Sequence, residues 1–414
     1  MVPTVFVLVY AGMILGRIPR LGLDRTGIAL LGAIALLASG EVSLERAVEH
    51  VDVRTLALLF GMMVLSAQLR LGGVYSAVTL RVGAHAHAPE RLLALLVAVV
   101  GPLSAVFTND VVALAVAPVA IELARVRRLD PVPFLLAVAC ATNVGSAATL
   151  VGNPQNILIG QTLDLSFAAY LLRGGVPAAA GLAVVWGVIA LAYRGRWGGA
   201  PVGSEEGGSA AAGEAWAREV APDRPPFSPW QAAKGLGLAT LAMALFLAGT
   251  WPRELVALTA AALVLTSRRF HSREMLGLVD WQLLVLFVGL FVVNGALADS
   301  GLVEDALAWL AGAGVDLAEP WLLFVASIVL SNTVSNVPAV MLLLPVAEGA
   351  RDGTLLALSS TLAGNLFIVG SIANIIVVEQ AVRRGVAIGW RTHARIGVPV
   401  TLLTLLLAAL ALAV

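Results

Sequence analysis

Runs of apolar residues separated by short charged loops dominate the chain. They predict about ten spanning helices, at Val2–Leu15, Thr26–Ala38, Thr55–Leu69, Pro131–Gln161, Gly174–Tyr193, Gln231–Thr250, Leu255–Ser267, Trp281–Ala298, Thr354–Val382 and Ile396–Val414. Several fall short of the ~20 residues that cross a bilayer, so their ends must lie among charged flanks or be covered by other helices. Two further stretches, Leu92–Ala124 and Trp321–Ala350, are each too long for one helix and are broken near the middle by polar residues. These predict helical hairpins that enter and leave on the same side, although two separate spanning helices each would also fit the pattern. Only Arg194–Pro229 is both long and polar, and its Gly, Ser, Glu and Pro content predicts a flexible linker. The expected fold class is an all-α polytopic membrane protein with two re-entrant hairpins.

Composition agrees with the pattern. The chain has 414 residues, is 59% hydrophobic and only 13% charged, and has a mean hydropathy of +0.92. Soluble domains carry about 25% charged residues. That shortfall excludes an ordinary cytoplasmic enzyme, a disordered chain and a nucleic-acid binder. A single cysteine, Cys140, excludes an intramolecular disulfide and a cysteine metal site. The first segment has no basic residues before it and several after it, so it is expected to be a retained helix rather than a cleaved signal.

Charge placement chooses between the two hairpin readings. With re-entrant hairpins, every basic residue except Arg46, Arg54, Arg173, Arg253 and Arg351 falls on one side. The positive-inside rule makes that side cytoplasmic. Both termini are then outside, the linker is cytoplasmic, and an inner (cell) membrane location follows. The net charge of zero is thus a cancellation between two faces, with Asp110 left inside the membrane.

The chain also resembles itself. Val51-Asp52, Phe60-Gly61 and Gly73-Val74 align without gaps to Val279-Asp280, Val288-Gly289 and Gly301-Leu302. Asn109 and Asn336 each precede a proline by nine residues, at Pro118 and Pro345. Leu150-Val151-Gly152-Asn153-Pro154-Gln155-Asn156-Ile157 matches Ile368-Val369-Gly370-Ser371-Ile372-Ala373-Asn374-Ile375, and the segment from Arg173 to Pro177 matches that from Arg395 to Pro399. The predicted topology runs the matching segments in opposite directions, as in the inverted repeats of many secondary transporters. The expected organisation is an N-terminal helix over 1–24, a first repeat over 25–193 (hairpin 92–124, unwound helix 131–161), the linker over 194–230, a connecting helix over 231–252, and a second repeat over 253–414 (hairpin 321–350, unwound helix 354–382). Arg173 and Arg395 are each expected to end an interfacial helix ahead of a spanning one.

Candidate chemistry lies where polar residues break apolar helices. Thr108-Asn109-Asp110 interrupts the first hairpin, and an intramembrane carboxylate is costly unless it lines a polar site. A protonated Asp110 bonded to a neighbouring helix is the bland reading; a Na⁺ or proton site is the functional one. Val337 stands at the equivalent place in the second half, so the halves differ chemically, whereas Asn336 and Ser335 match Asn109 and Thr108. The breaks at 142–156 and 361–374 combine Gly with Asn, Ser and Thr. Unwound carbonyls and amide oxygens suit a hard cation, and half-helix N-termini suit an anion. Close packing of small residues explains Gly145, Ala147 and Ala148, but explains Asn153, Asn156, Asn365 and Asn374 poorly. No Lys or Arg lies in a break. His85, His87, His271 and His393 fall in loops and His50 at a helix edge, none with metal-ligand spacing, and no phosphate-binding loop is present.

These motifs resemble the ion transporter superfamily, which includes divalent anion:sodium symporters, citrate transporters, arsenite permeases and D-type Na⁺/H⁺ antiporters. The segment Ser146–Asn156 is similar to the Gly-Thr-Ala-Thr-Leu-Ile-Gly-Thr-Pro-Pro-Asn of the dicarboxylate branch. The tips, Thr108-Asn109-Asp110 and Ser335-Asn336-Val337-Pro338, look more like the arsenite permease and antiporter branch. A literal Ser331-Asn332-Thr333 lies four residues too early for the hairpin-tip spacing. The resemblance implies a scaffold and a transport part that moves like an elevator, commonly in a homodimer. It also implies a cation site at Thr108, Asn109, Thr149, Gly152 and Asn156, and a second at Ser335, Asn336, Gly370 and Asn374. The departures at Asp110 and Val337 make proton coupling through Asp110 an alternative to two equivalent Na⁺ sites.

The leading expectation is a cation-coupled (H⁺ or Na⁺) secondary transporter of a small anion or oxyanion, not an enzyme, with no cofactor beyond the coupling ion. Substrate is expected between the tips, at Thr108, Asn109, Ser335 and Asn336 with Asn153 and Ser371. Arsenite/antimonite efflux and Na⁺/H⁺ antiport stay open, as does a non-transporting membrane assembly protein.

Overall fold

A computed structural model describes residues 1–18, 21–85, 88–198 and 225–413. The first half runs α1 (Val2–Leu15), α2 (Arg25–Ala38), α3 (Leu44–His50), α4 (Val53–Leu71), α5 (Val74–His85), α6 (Pro89–Val106), α7 (Asn109–Val126), α8 (Pro131–Ser146), α9 (Pro154–Thr162) and α10 (Phe167–Ala192). The second half runs α11 (Pro229–Ala248), α12 (Arg253–Leu265), α13 (Ser272–Leu276), α14 (Trp281–Asp299), α15 (Leu302–Gly312), α16 (Pro320–Val334), α17 (Asn336–Leu343), α18 (Gly349–Ala363), α19 (Ile372–Arg383) and α20 (Trp390–Leu412). A two-residue ladder, Arg17–Ile18 against Leu23–Asp24, is the β-structure that joins α1 to α2.

Side-chain caps set many of the helix starts. Asp52 accepts from Thr55 N at 3.1 Å and Asp280 from Leu283 N at 3.0 Å, each cap contributing about 1 kcal/mol. Among the described residues, six helices (α4, α6, α10, α11, α14 and α20) are long and apolar enough to cross a membrane. Shorter apolar helices, α1, α2, α8, α16 and the Asn336–Val346 stretch, accompany them. Leu172, Val176 and Leu191 on α10, and Leu402, Leu406 and Leu410 on α20, point outward. Such an apolar exterior fits a bilayer and would not fit water. The chain is an all-α, multi-pass membrane protein.

The halves interlock by exchanging helices. α2 packs on α14 of the other half, and α12 packs on α4. Glycines permit both approaches: a Cβ on Gly289 would overlap the backbone of Ala29, and one on Gly61 the backbone of Ala257. α1 lies beside α2 as α11 lies beside α12, so these two helices occupy matching places. At one end, Arg46 of α3 reaches across to Asp299 of α14 with two hydrogen bonds of 2.7 Å. The core centres on α8, where every residue from Pro133 to Ser146 is buried, and on α18, buried from Gly353 to Ala363. Each of these enclosed helices ends at a break.

The elements differ from the apolar pattern at several points. Each hairpin divides in two, at Phe107-Thr108 and at Ser335. The second hairpin's outgoing arm stops at Val346 in a 3₁₀ turn containing Pro345, so Ala350 belongs to α18. Arg173 and Arg395 end nothing: they lie inside α10 and α20, whose backbone ladders continue through them as the two helices pack together. His393 is not in a loop but in the first turn of α20, fully buried. His85 closes α5, and His87 lies outside the described residues. The linker is tied down at both ends. Asp130 N donates to Trp197 O at 2.9 Å, and Ser228 N donates to Gly72 O at 3.1 Å. Residues 199–224 of the linker lie outside the described residues.

Candidate functional site

At the first tip, α6 ends at Val106, Phe107 and Thr108 are extended, and α7 starts at Asn109. The tip docks on the break between α8 and α9. Asn109 N donates to Gly152 O at 2.9 Å, Ser104 Oγ donates to Thr142 O at 2.6 Å, and Thr149 Oγ1 donates to Ala105 O. Asn109 Nδ2 donates to Asn143 Oδ1 at 3.1 Å. Thr108 and Asn109 are buried, yet Thr108 Oγ1 and Asn109 Oδ1 have no protein partner. Buried polar atoms are nearly always paired, so these two oxygens are free to meet a further partner.

The second tip is built differently. Ser335 adopts φ 80° and ψ 160°, a region that side chains other than Gly rarely occupy. With its amide oriented to suit its neighbours, Asn336 donates to Ser360 O at 3.2 Å and Gly370 O at 3.3 Å, and accepts from Gln155 Nε2 at 3.3 Å. The Ser331-Asn332-Thr333 triplet lies within α16, a turn ahead of the tip, where Asn332 Nδ2 donates to Ile328 O and Ala363 O.

The two breaks hold matching hydrogen bonds. Asn156 Nδ2 donates to Thr149 O at 2.9 Å and Ser146 O at 3.5 Å. Asn374 Nδ2 donates to Phe367 O at 3.2 Å and Gly364 O at 2.8 Å. A crossed set then joins the breaks to each other. Thr361 Oγ1 donates to Asn156 Oδ1 at 3.2 Å, and Asn143 Nδ2 donates to Asn374 Oδ1 at 3.1 Å. Asn153 Nδ2 donates to Thr361 Oγ1 at 3.2 Å, and Ser371 Oγ to Asn143 Oδ1 at 2.8 Å. Side chains from the following long helices hold matching carbonyls: Tyr170 OH donates to Ala147 O at 2.8 Å, and His393 Nε2 meets Asn365 O at 3.0 Å.

Asn109, Asn336, Asn153, Asn156, Ser371, Asn374, Thr149, Gly152 and Gly370 therefore lie in one buried polar layer, with Thr108 and Ser335 at its rims. Asp110 lies apart from these bonds. It occupies the first turn of α7, half-buried, and the charge that acts on it is the like charge of Asp280, which caps α14. Among the described residues, no group of three His, Cys, Asp or Glu side chains is placed to hold a metal ion. The layer offers neutral oxygens and amides, which suit Na⁺ or a hydroxylated solute more than a transition metal.

Sequence reasoning missed the hubs. Asn143 makes four side-chain bonds, to Asn109, Asn365, Asn374 and Ser371. Thr361 and Gln155 serve the other side, and Tyr170 and His393 brace both breaks. The repeat alignment, carried back from the Asn156/Asn374 match, sets Asn143 opposite Thr361, a polar pair inside an apolar helix; that signal was available.

Comparison with known proteins decides the family. A family profile described as "Citrate transporter" (CitMHS) matches residues 10–354. The chain belongs to the citrate transporter family. Its relatives include an uncharacterized transporter of Mycobacterium tuberculosis, 31% identical over 98% of this chain and 96% of the relative. A silicon efflux transporter of rice (Oryza sativa subsp. japonica) is 29% identical over 93% of this chain and 91% of its own. In fold, the transporter is similar to the YdaH transporter of Alcanivorax borkumensis, with a TM-score of 0.56 and 14% identity over 99% of this chain and 96% of that one. The protein is thus a membrane transporter of a small solute and not an enzyme.

Proposed function

We propose that the transporter couples a cation, Na⁺ or H⁺, to movement of a small anion or oxyanion. The observation that carries this reading is the pair of orphan oxygens, Thr108 Oγ1 and Asn109 Oδ1, at a tip docked on unwound backbone. Neutral side-chain oxygens beside unwound backbone favour a hard cation, and a cation bound there supplies the positive charge that the layer's own side chains lack. Substrate then binds between the tips at Thr108, Asn109, Ser335 and Asn336, with Asn153 and Ser371 beneath. The coupling ion is held by Asn109, Thr149, Gly152 and Asn156, and by Asn336, Gly370 and Asn374, with Asp110 adding negative potential or carrying the proton. The matched bonds of the two breaks and the exchanged helices support an inverted repeat, which here takes in α1 and α11 as well. In this reading the hairpins are re-entrant, both termini are outside the cell membrane, and the layer moves as an elevator against a scaffold in a homodimer.

A second reading is efflux of a neutral hydroxylated solute such as arsenite. It is favoured by the rice relative named as a silicon efflux transporter and by a layer without a cationic side chain. Flux of oxyanions, carboxylates and metalloid hydroxides in proteoliposomes, with and without Na⁺ and pH gradients, tests both. Anion uptake driven by either gradient supports the first reading. Gradient-independent flux sinks cation coupling, efflux confined to metalloid hydroxides favours the second reading, and Na⁺/H⁺ exchange with no solute points to an antiporter.

A further inference from the structure

Each tip is bonded to its own break or its neighbour, and the chain of bonds runs on into the other half. Asn109 at the first tip reaches Asn143, and Asn143 passes to Asn365, Asn374 and Ser371 of the second break at 2.8, 3.1 and 2.8 Å. Asn336 at the second tip reaches Gln155, which follows the first break and also donates to Thr361 Oγ1 at 3.2 Å. Asn143, Gln155 and Thr361 are buried, and each side chain is held from two sides. A buried amide in such a chain cannot turn without unpairing a partner, so a change at one tip must be accommodated at the opposite break.

We propose that Asn143 and Gln155 are positioning residues that cross-couple the two tip-and-break sites into one cooperative unit. Filling the first tip fixes Asn109, which fixes the Asn143 amide and with it the Asn365 and Asn374 oxygens of the second break. Filling the second tip fixes Asn336, which fixes Gln155 and the first break through Thr361. The occupancy that sets this in motion is that of the proposed transport site, so the inference rests on that reading for its use but not for its test.

The test is a pair of double-mutant cycles read by amide hydrogen exchange on the purified full-length protein in detergent. One cycle combines Asn109→Ala with Asn143→Ala and follows residues 364–371. The other combines Asn336→Ala with Gln155→Ala and follows residues 147–153. The expected result is that Asn109→Ala speeds exchange at 364–371 by about tenfold, and that the double variant is no faster than Asn143→Ala alone. The Gln155 cycle should behave alike at 147–153, and it decides the matter by itself should Asn143→Ala fail to fold. Exchange at the opposite break that ignores the tip variant, or effects that multiply in the double variants, overturns the proposal. Repeating the wild-type measurement in NaCl and in choline chloride from pH 5.5 to pH 8.5 separates the two ideas. Protection factors, referred to the base-catalysed intrinsic rate at each pH, that are insensitive to both Na⁺ and pH count against the cation reading, while the cycles still decide the coupling.

Discussion

The two breaks share a backbone plan and differ in the side chains hung on it. In each, an Asn on the outgoing half-helix holds two carbonyls of the turn, and its oxygen is met by a donor from the other break. The donor is Asn143 on one side and Thr361 on the other. The brace is Tyr170 on one side and His393 on the other. The first tip has relaxed backbone at Thr108 and a carboxylate at Asp110; the second has Ser335 at positive φ and Val337. The shared part is what unwound helices need, since their carbonyls must be satisfied inside a membrane. The unshared part is free to specialise, and the charge lies on the first side alone.

The largest effects should fall on what the sides share. Asn109→Ala and Asn336→Ala are each expected to cut proteoliposome flux by about 100-fold at normal protein level. Near-normal flux in both would sink the two-tip site. Asp110→Asn should act on one side only, removing the pH and Na⁺ dependence of transport; a dependence that survives unchanged removes Asp110 from the coupling. Gly152→Ala should lower thermal stability by about 1–3 kcal/mol, because its Cβ would overlap the Ser146 and Ser104 carbonyls. Gly370→Ala should cost less, since its closest contact is the Asn332 side chain at 2.9 Å, and equal melting shifts would contradict this asymmetry. Asn153→Ala removes a side chain that accepts from Asn156 N at 2.9 Å and caps α9, a loss of about 1 kcal/mol. Ser371→Ala removes no cap and should cost less in the same melting assay. One expected change is a gain. Ser335→Gly should raise stability by about 1 kcal/mol by relieving its backbone, while weakening solute affinity in a binding titration.

The apolar pattern located most helices within a few residues because a bilayer-facing helix must be apolar along its whole length. It misjudged places where polar residues are covered by protein. His393 read as a loop residue because it lies between Arg391 and Arg395, ahead of the apolar run that starts at Ile396, yet it is buried against a carbonyl of the second break. Helices α3 and α5 were not legible, being short or only weakly apolar. Asn109, Asn336, Asn156 and Asn374 were legible because an amide in a broken apolar segment adds nothing to packing that a Leu or Ala would not supply at lower cost.

By itself the sequence determined membrane residence, the two kinds of break and the match between the halves, because each is a local or repeating property of residue type. Tertiary structure alone decided that Asn143 faces Asn374, that Thr361 faces Asn156, and that each tip reaches the opposite break. The Asn143–Asn374 and Thr361–Asn156 pairings join residues more than 200 positions apart. The halves are brought together by α10 against α20 and α7 against α19, as well as by the interlocking of α2 with α14 and of α12 with α4, so that buried amides must find one another to be satisfied.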